Sequence, residues 1–87
     1  MAEHQSWEEH KASIRAFEQI IPIGSKWTHR KKPDAQYTIV DLVIDEATDS
    51  VSVIYERNGV RIARLASIFL EDVQKPEYQW PRFMRVS

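Results

Sequence analysis

Val51-Ser52-Val53-Ile54-Tyr55-Glu56-Arg57-Asn58-Gly59-Val60-Arg61-Ile62-Ala63-Arg64 is the stretch on which the fold turns. Two runs of period-two alternation flank Asn58-Gly59, a pair that tolerates positive φ at both central positions of a type I′ turn. This predicts an antiparallel hairpin, with strands over 50–57 and 60–64. Val51, Val53 and Tyr55 would face inward with Val60 and Ile62, and Ser50 and Ser52 outward.

Upstream, residues 36–45 form another run rich in β-branched and aromatic side chains, predicting a long strand joined to the hairpin by a turn at Glu46-Ala47-Thr48-Asp49. Tyr37, Ile39 and Val43 fall on one face, Val40, Leu42 and Ile44 mostly on the other. A strand apolar on both faces needs cover on both. Ser25 to His29 reads as a preceding strand, and Arg30 to Ala35 as a loop with Pro33-Asp34 turn chemistry.

Before residue 22 the period changes to that of a helix. Ser6 with Glu9 forms a capping box, Glu8 and Glu9 suit the positive end of the helix dipole, and Pro22 ends the run. A helix over about 6–20 would carry Trp7, Ile14, Phe17 and Ile21 on one face. Downstream, Leu65 to Ile68 suits a single tight turn of helix, and Phe69 to Val73 a short fifth strand. Residues 75–81, bounded by Pro76 and Pro81, read as an extended connector. Arg82 to Val86 would add an edge strand or dock on the barrel.

This order, a helix, four meandering strands, one helical turn and a short strand, predicts a mainly β domain with one N-terminal α-helix: a small SH3-like β-barrel of about five strands. It would be one domain over residues 1–87, with a helical extension at 1–22, the barrel at 23–74 and a Pro-bounded tail at 75–87. An OB-fold would want a longer helix where this chain has a tight hairpin.

The segment from Gly24 to Val73 resembles a family of short uncharacterised SH3-like barrel proteins, a domain of unknown function from bacteria and phages. The shared features are Lys26-Trp27-Thr28-His29-Arg30, Tyr37-Thr38-Ile39-Val40, Val53-Ile54-Tyr55, and Ala63-Arg64 followed by Phe69-Leu70-Glu71-Asp72-Val73. The family's aromatic near Ile62 and proline near Leu65 are missing. The resemblance implies a fold and a bacterial or phage origin, and carries no activity.

Composition narrows function chiefly by exclusion. The chain has 87 residues, 12 basic and 13 acidic, and no cysteine. Without cysteine there is no disulfide framework, thiolate nucleophile or cysteine zinc site, which fits a cytoplasmic protein, in the host cytoplasm if phage-encoded. Met1-Ala2-Glu3-His4 does not open a signal peptide, and no run approaches the roughly 20 apolar residues of a membrane span. His4, His10 and His29 have no metal-ligand spacing, no G-x-S-x-G is present, and the adjacent acids at 45–46 and 71–72 would point to opposite strand faces. Two glycines leave no phosphate-cradling loop. The expectation is a non-enzymatic protein with no cofactor and no metal.

Charge is segregated: a basic block at 26–32, an acidic one at 34–56, then Arg57, Arg61 and Arg64. The leading expectation is a protein-interaction module, a small phage accessory protein acting on a host or phage protein. Arg30, Lys31 and Lys32 would form the basic side of a groove and Asp45, Glu46 and Asp49 the acidic side. Tyr37, Tyr55, Tyr78 and Trp80 would line it, although Tyr37 and Tyr55 also suit a core role with hydroxyls at the rim. Trp7, Ile14 and Phe17 would either cap the barrel or dock a partner, including a second copy. The alternative is a nucleic-acid-binding module using Lys26, Arg30, Lys31, Lys32, Arg57 and Arg61, disfavoured by the net charge of −1.

Overall fold

In the computed structural model, residues 6–75 and 78–87 are described, with the backbone alone for 72–80. The chain is mainly β. Helix α1 (Trp7–Glu18) precedes strands β1 (Lys26–His29), β2 (Lys32–Asp45), β3 (Ser50–Arg57) and β4 (Val60–Leu65). A one-turn helix α2 (Ala66–Phe69), strands β5 (Asp72–Lys75) and β6 (Tyr78–Pro81), and a last strand β7 (Phe83–Arg85) follow. Five strands form one antiparallel sheet in the order β4-β3-β2-β1-β7, and β5 pairs with β6 separately. The sheet is not closed: among the described residues no pairing joins β4 to β7.

The capping box forms as expected. The Glu9 N–H donates to Ser6 Oγ at 3.2 Å and the Ser6 N–H to Glu9 Oε1 at 3.0 Å, which holds the Glu9 carboxyl below its usual pKa. The hairpin is as read too: Asn58 and Gly59 take φ of 54° and 77°, and Arg57 faces Val60. A Cβ at Gly59 would meet no atom within 4 Å, but a valine there would be forced to positive φ. Gly59→Val should therefore cost on the order of 1 kcal/mol or more in chemical denaturation, and an unchanged midpoint would refute the turn assignment.

Several expectations are corrected. Residues 69–73 do not form the fifth strand of the sheet. Phe69 closes α2 and is fully buried, and Phe83–Arg85 is the strand that pairs with β1. The sheet therefore takes its last strand from the tail, and the expected connector at 75–81 contributes β6, paired to β5. The loop after β1 is shorter than expected, because β2 begins at Lys32 and the register shifts between Thr28 and His29.

A bulge between Ile39 and Asp41 leaves Val40 without a partner and reverses the alternation of β2. Ala35, Ile39 and Leu42 are buried, with Tyr37 and Ile44 packed on the core, so Leu42 and Ile44 share the face expected for Val43. Asp41 Oδ1 accepts the Leu42 N–H at 2.8 Å. Ser52, expected outside, is buried, whereas Val60 and Ile62, expected inside, are 59% and 37% exposed.

Phe69 is the centre of the core. Its ring stacks on Phe83 at 4.2 Å between centroids and meets Trp27 edge-on at 5.2 Å. The Trp27 indole N–H donates to Ser25 Oγ at 2.9 Å, and that hydroxyl donates to the Pro22 carbonyl at 2.6 Å, so the buried indole is satisfied. Helix α1 lies against β2 and β3, with Ile14 and Phe17 on the core. Ile21 is fully buried just beyond it. Trp7 does not share their fate: it is 79% exposed and touches His10 edge-on. No helix among the described residues is long and apolar enough to cross a membrane.

Candidate functional site

The inner face of the sheet is occupied by Phe69 at its centre and by α1 toward the β2–β3 turn. Toward the other end it stays open, and a cavity of about 300 Å³ remains there. Tyr55 and Phe83 form its floor, with Tyr37 and Ile62 beside them. His29, Lys31, Lys32 and Arg64 supply every titratable nitrogen of its wall, and no carboxylate lines it.

Strand register explains why these residues meet. Tyr55 pairs with Ile62 and Val53 with Arg64, so the β4 side chains at 60, 62 and 64 share the face of Tyr55. His29 pairs with Phe83, and Trp27 with Tyr37. Residues as far apart in sequence as His29 and Phe83 are thereby neighbours.

The aromatic cluster is tightly made. Tyr55 meets Tyr37 at 5.4 Å and Phe83 at 5.7 Å, and His29 stands edge-on to Phe83 at 4.9 Å. The Arg64 guanidinium lies 5.5 Å above the Phe83 ring and that of Arg57 5.8 Å above Tyr37. Burial pushes the Tyr55 phenol above its usual pKa.

His29 senses the one-sided field. Burial first, then Arg64, Arg82, Lys31 and Arg30, hold its pKa below the ordinary 6.5. Its Nδ1 accepts the Lys31 N–H at 3.0 Å, which fixes the neutral ring with its proton on Nε2. The unfolded chain then binds this proton more tightly than the folded one. Stability should be lost as the pH falls through 6.5, and the loss should end below the folded-state pKa. His29→Gln should flatten that part of the profile in melts between pH 5 and 8, and parallel wild-type and variant profiles would contradict the depressed pKa.

The expected dipolar groove is not assembled. Lys32 opens the 14-residue strand β2 and Asp45 closes it, so the basic and acidic turns stand at opposite ends of one strand. The two-residue turn at Arg30-Lys31 is too short to fold back over it. Lys31 and Lys32 reach the cavity; Arg30 does not line it, and its N–H donates to the Arg82 carbonyl at 3.0 Å. Asp45 accepts the Ala47 N–H, and Glu46 is exposed. Asp49 faces the helix instead, with its carboxylate 3.2 Å from His10 Nε2. It borders a smaller hollow of about 180 Å³ lined by Phe17 and three serines, Ser13, Ser50 and Ser67.

The six residues of the nucleic-acid alternative do not converge either. Lys26 neighbours the inward Trp27 and takes the outer face, as does Arg61, which is held by Glu56 at 3.1 Å. The side chains of Tyr78 and Trp80 lie outside the described residues. Sequence reasoning did not single out His29, Ile62 and Phe83 as site residues, and it gave Arg64 only as a continuation of the basic patch. The available signal was Arg64 falling in phase with Val60 and Ile62.

Among the described residues no three His, Asp or Glu side chains gather to hold a metal. No family model, curated protein or solved structure matches the chain.

Proposed function

We propose that the chain is a non-enzymatic protein-interaction module on a small SH3-like barrel, and that its partner offers an acidic segment to the pocket beside Arg64. The observation that carries this reading is a concave wall of three cationic side chains, Lys31, Lys32 and Arg64, with His29 beside them over an apolar floor and no carboxylate among them. Carboxylates would find the Arg64 fork and two flexible ammonium groups there. The strand order β4-β3-β2-β1-β7, with one helical turn after β4, supports the barrel assignment. The resemblance of residues 24–73 supports a role as a small bacterial or phage accessory protein of the cytoplasm.

Nucleic acid is the weaker reading. Base stacking needs an open ring face. Phe83 is sandwiched between Arg64 and Phe69, and Tyr37 lies under Arg57. Lys26 and Arg61 are on the far face, so no continuous phosphate track forms.

The test is to titrate the full chain with a glutamate-rich peptide and, separately, with oligothymidylate, at rising salt. The peptide should bind saturably and weaken with salt, and the oligonucleotide should bind feebly at physiological ionic strength. Changing Asp45, Glu46 and Asp49 to Lys together should leave peptide affinity within about twofold, since one Debye length of about 10 Å separates screened from unscreened charge. Tight oligothymidylate binding, strengthened by that reversal, would replace this reading with the nucleic-acid one.

A further inference from the structure

Strand β4 is an edge of the sheet and borders the pocket. It pairs with β3 alone among the described residues. Because Arg57 and Val60 close a two-residue turn, residues 60, 62 and 64 spend their backbone groups on β3, and those of Arg61 and Ala63 point to the open edge. Edge strands of stable domains usually carry a device against pairing, such as a proline, a bulge or inward charge. Here the strand carries neither proline nor bulge; Val60 and Ile62 are inward and 59% and 37% exposed, and its inward charge, Arg64, is one that an acidic strand would satisfy rather than be repelled by.

We infer that β4 receives its partner as an added β-strand, whose inward side chains are apolar beside Val60 and Ile62 and acidic beside Arg64 and Lys32. The inference rests on the anion-accepting pocket proposed above and adds the manner of docking. Backbone pairing along Arg61 and Ala63 gives affinity, and the pocket selects charge. Charge complementarity commits the occupant to an acidic, extended segment of another protein. A second copy of β4 paired antiparallel through Arg61 and Ala63 would set Ile62 against Ile62 and Arg64 against Val60, so it brings no carboxylate to Arg64 or Lys32 and leaves the pocket's charge unanswered.

The probe is a synthetic peptide, Glu-Thr-Val-Thr-Val-Thr-Glu, with both ends blocked, measured against the full chain by fluorescence anisotropy. Its acids at both ends allow either strand direction. The same peptide with Lys for Glu should bind at least about tenfold more weakly, a difference of about 1.4 kcal/mol. N-methylation of the backbone at alternate residues, on the edge that would meet β4, should also cost about tenfold or more, because it removes donors without touching charge.

On the protein side, Ala63→Pro removes an N–H that β3 does not use, at an exposed edge position where proline is tolerated. It should melt like the parent yet lose binding about tenfold. If N-methylation costs nothing while Arg64→Glu abolishes binding, the pocket stands and strand addition is overturned. If Arg64→Glu also has no effect, both fall. Oligothymidylate competing for the site more tightly than the peptide would overturn the protein partner itself.

Discussion

Phe69→Ala should cost about 3–5 kcal/mol of stability, the usual range for emptying a buried phenylalanine site. The ring is fully buried and makes the closest aromatic contact of the core, 4.2 Å from Phe83 with the planes 13° apart. It also meets Trp27 at 5.2 Å and Tyr55 at 5.6 Å, so its removal leaves three aromatic neighbours facing a void. A domain of this size has roughly 4–13 kcal/mol in total. The substitution should therefore leave little of the folded population margin, seen as a large fall in the urea midpoint. Val60→Ala, at an exposed edge site, should change stability by no more than about 0.5 kcal/mol. A Phe69→Ala protein as stable as the Val60→Ala one would mean that α2 does not plug the sheet.

The second large effect concerns binding. Arg64→Glu combined with Lys32→Glu should weaken an acidic peptide by about a hundredfold or more, at about 1.4 kcal/mol per tenfold. Both side chains line the pocket, and reversal replaces attraction with repulsion in a cavity whose walls exclude part of the solvent. Arg64 also lies over Phe83, so its loss should cost stability about 0.5–1 kcal/mol, whereas Lys32 is exposed and should cost none. Comparing melting with affinity separates the two contributions. Equal peptide affinity in the double variant would remove the pocket from consideration.

Much of the architecture was legible wherever the information is local. Ser6 and Glu9 are three residues apart and announce the helix start, and Asn58-Gly59 announces the hairpin and thereby the inward set of β3. The failures occur where distant pairing decides. Phe69 in isolation reads as a strand residue, and only its position beneath Phe83, which β1 brings from the far end of the chain, makes it a plug. The bulge at Val40 has no proline or glycine to mark it, yet it shifts Leu42 inward and Val43 out.

The site was less legible than the fold for the same reason. The basic block at 26–32 is visible in the sequence, but the alternation of strands sends Lys26 outward. Its functional half depends on Arg64 and Phe83, which arrive through two different strand pairings. The acidic turn looked like the opposite wall of one groove, because sequence cannot show that β2 runs unbroken between the two turns for 14 residues. Exposure of Val60 and Ile62 was equally hidden, since alternation identifies the inward face of an edge strand without revealing whether anything covers it.

The most direct measurement is a map of backbone amide chemical shifts on the full chain during titration with the glutamate-rich peptide. The largest changes should cluster at His29, Lys31, Lys32, Tyr55, Ile62 and Arg64, with Trp7, Ile14 and the 45–49 turn unmoved. Shifts centred on α1 and Asp49, or none at saturating peptide, would contradict the assignment of the pocket as the binding site.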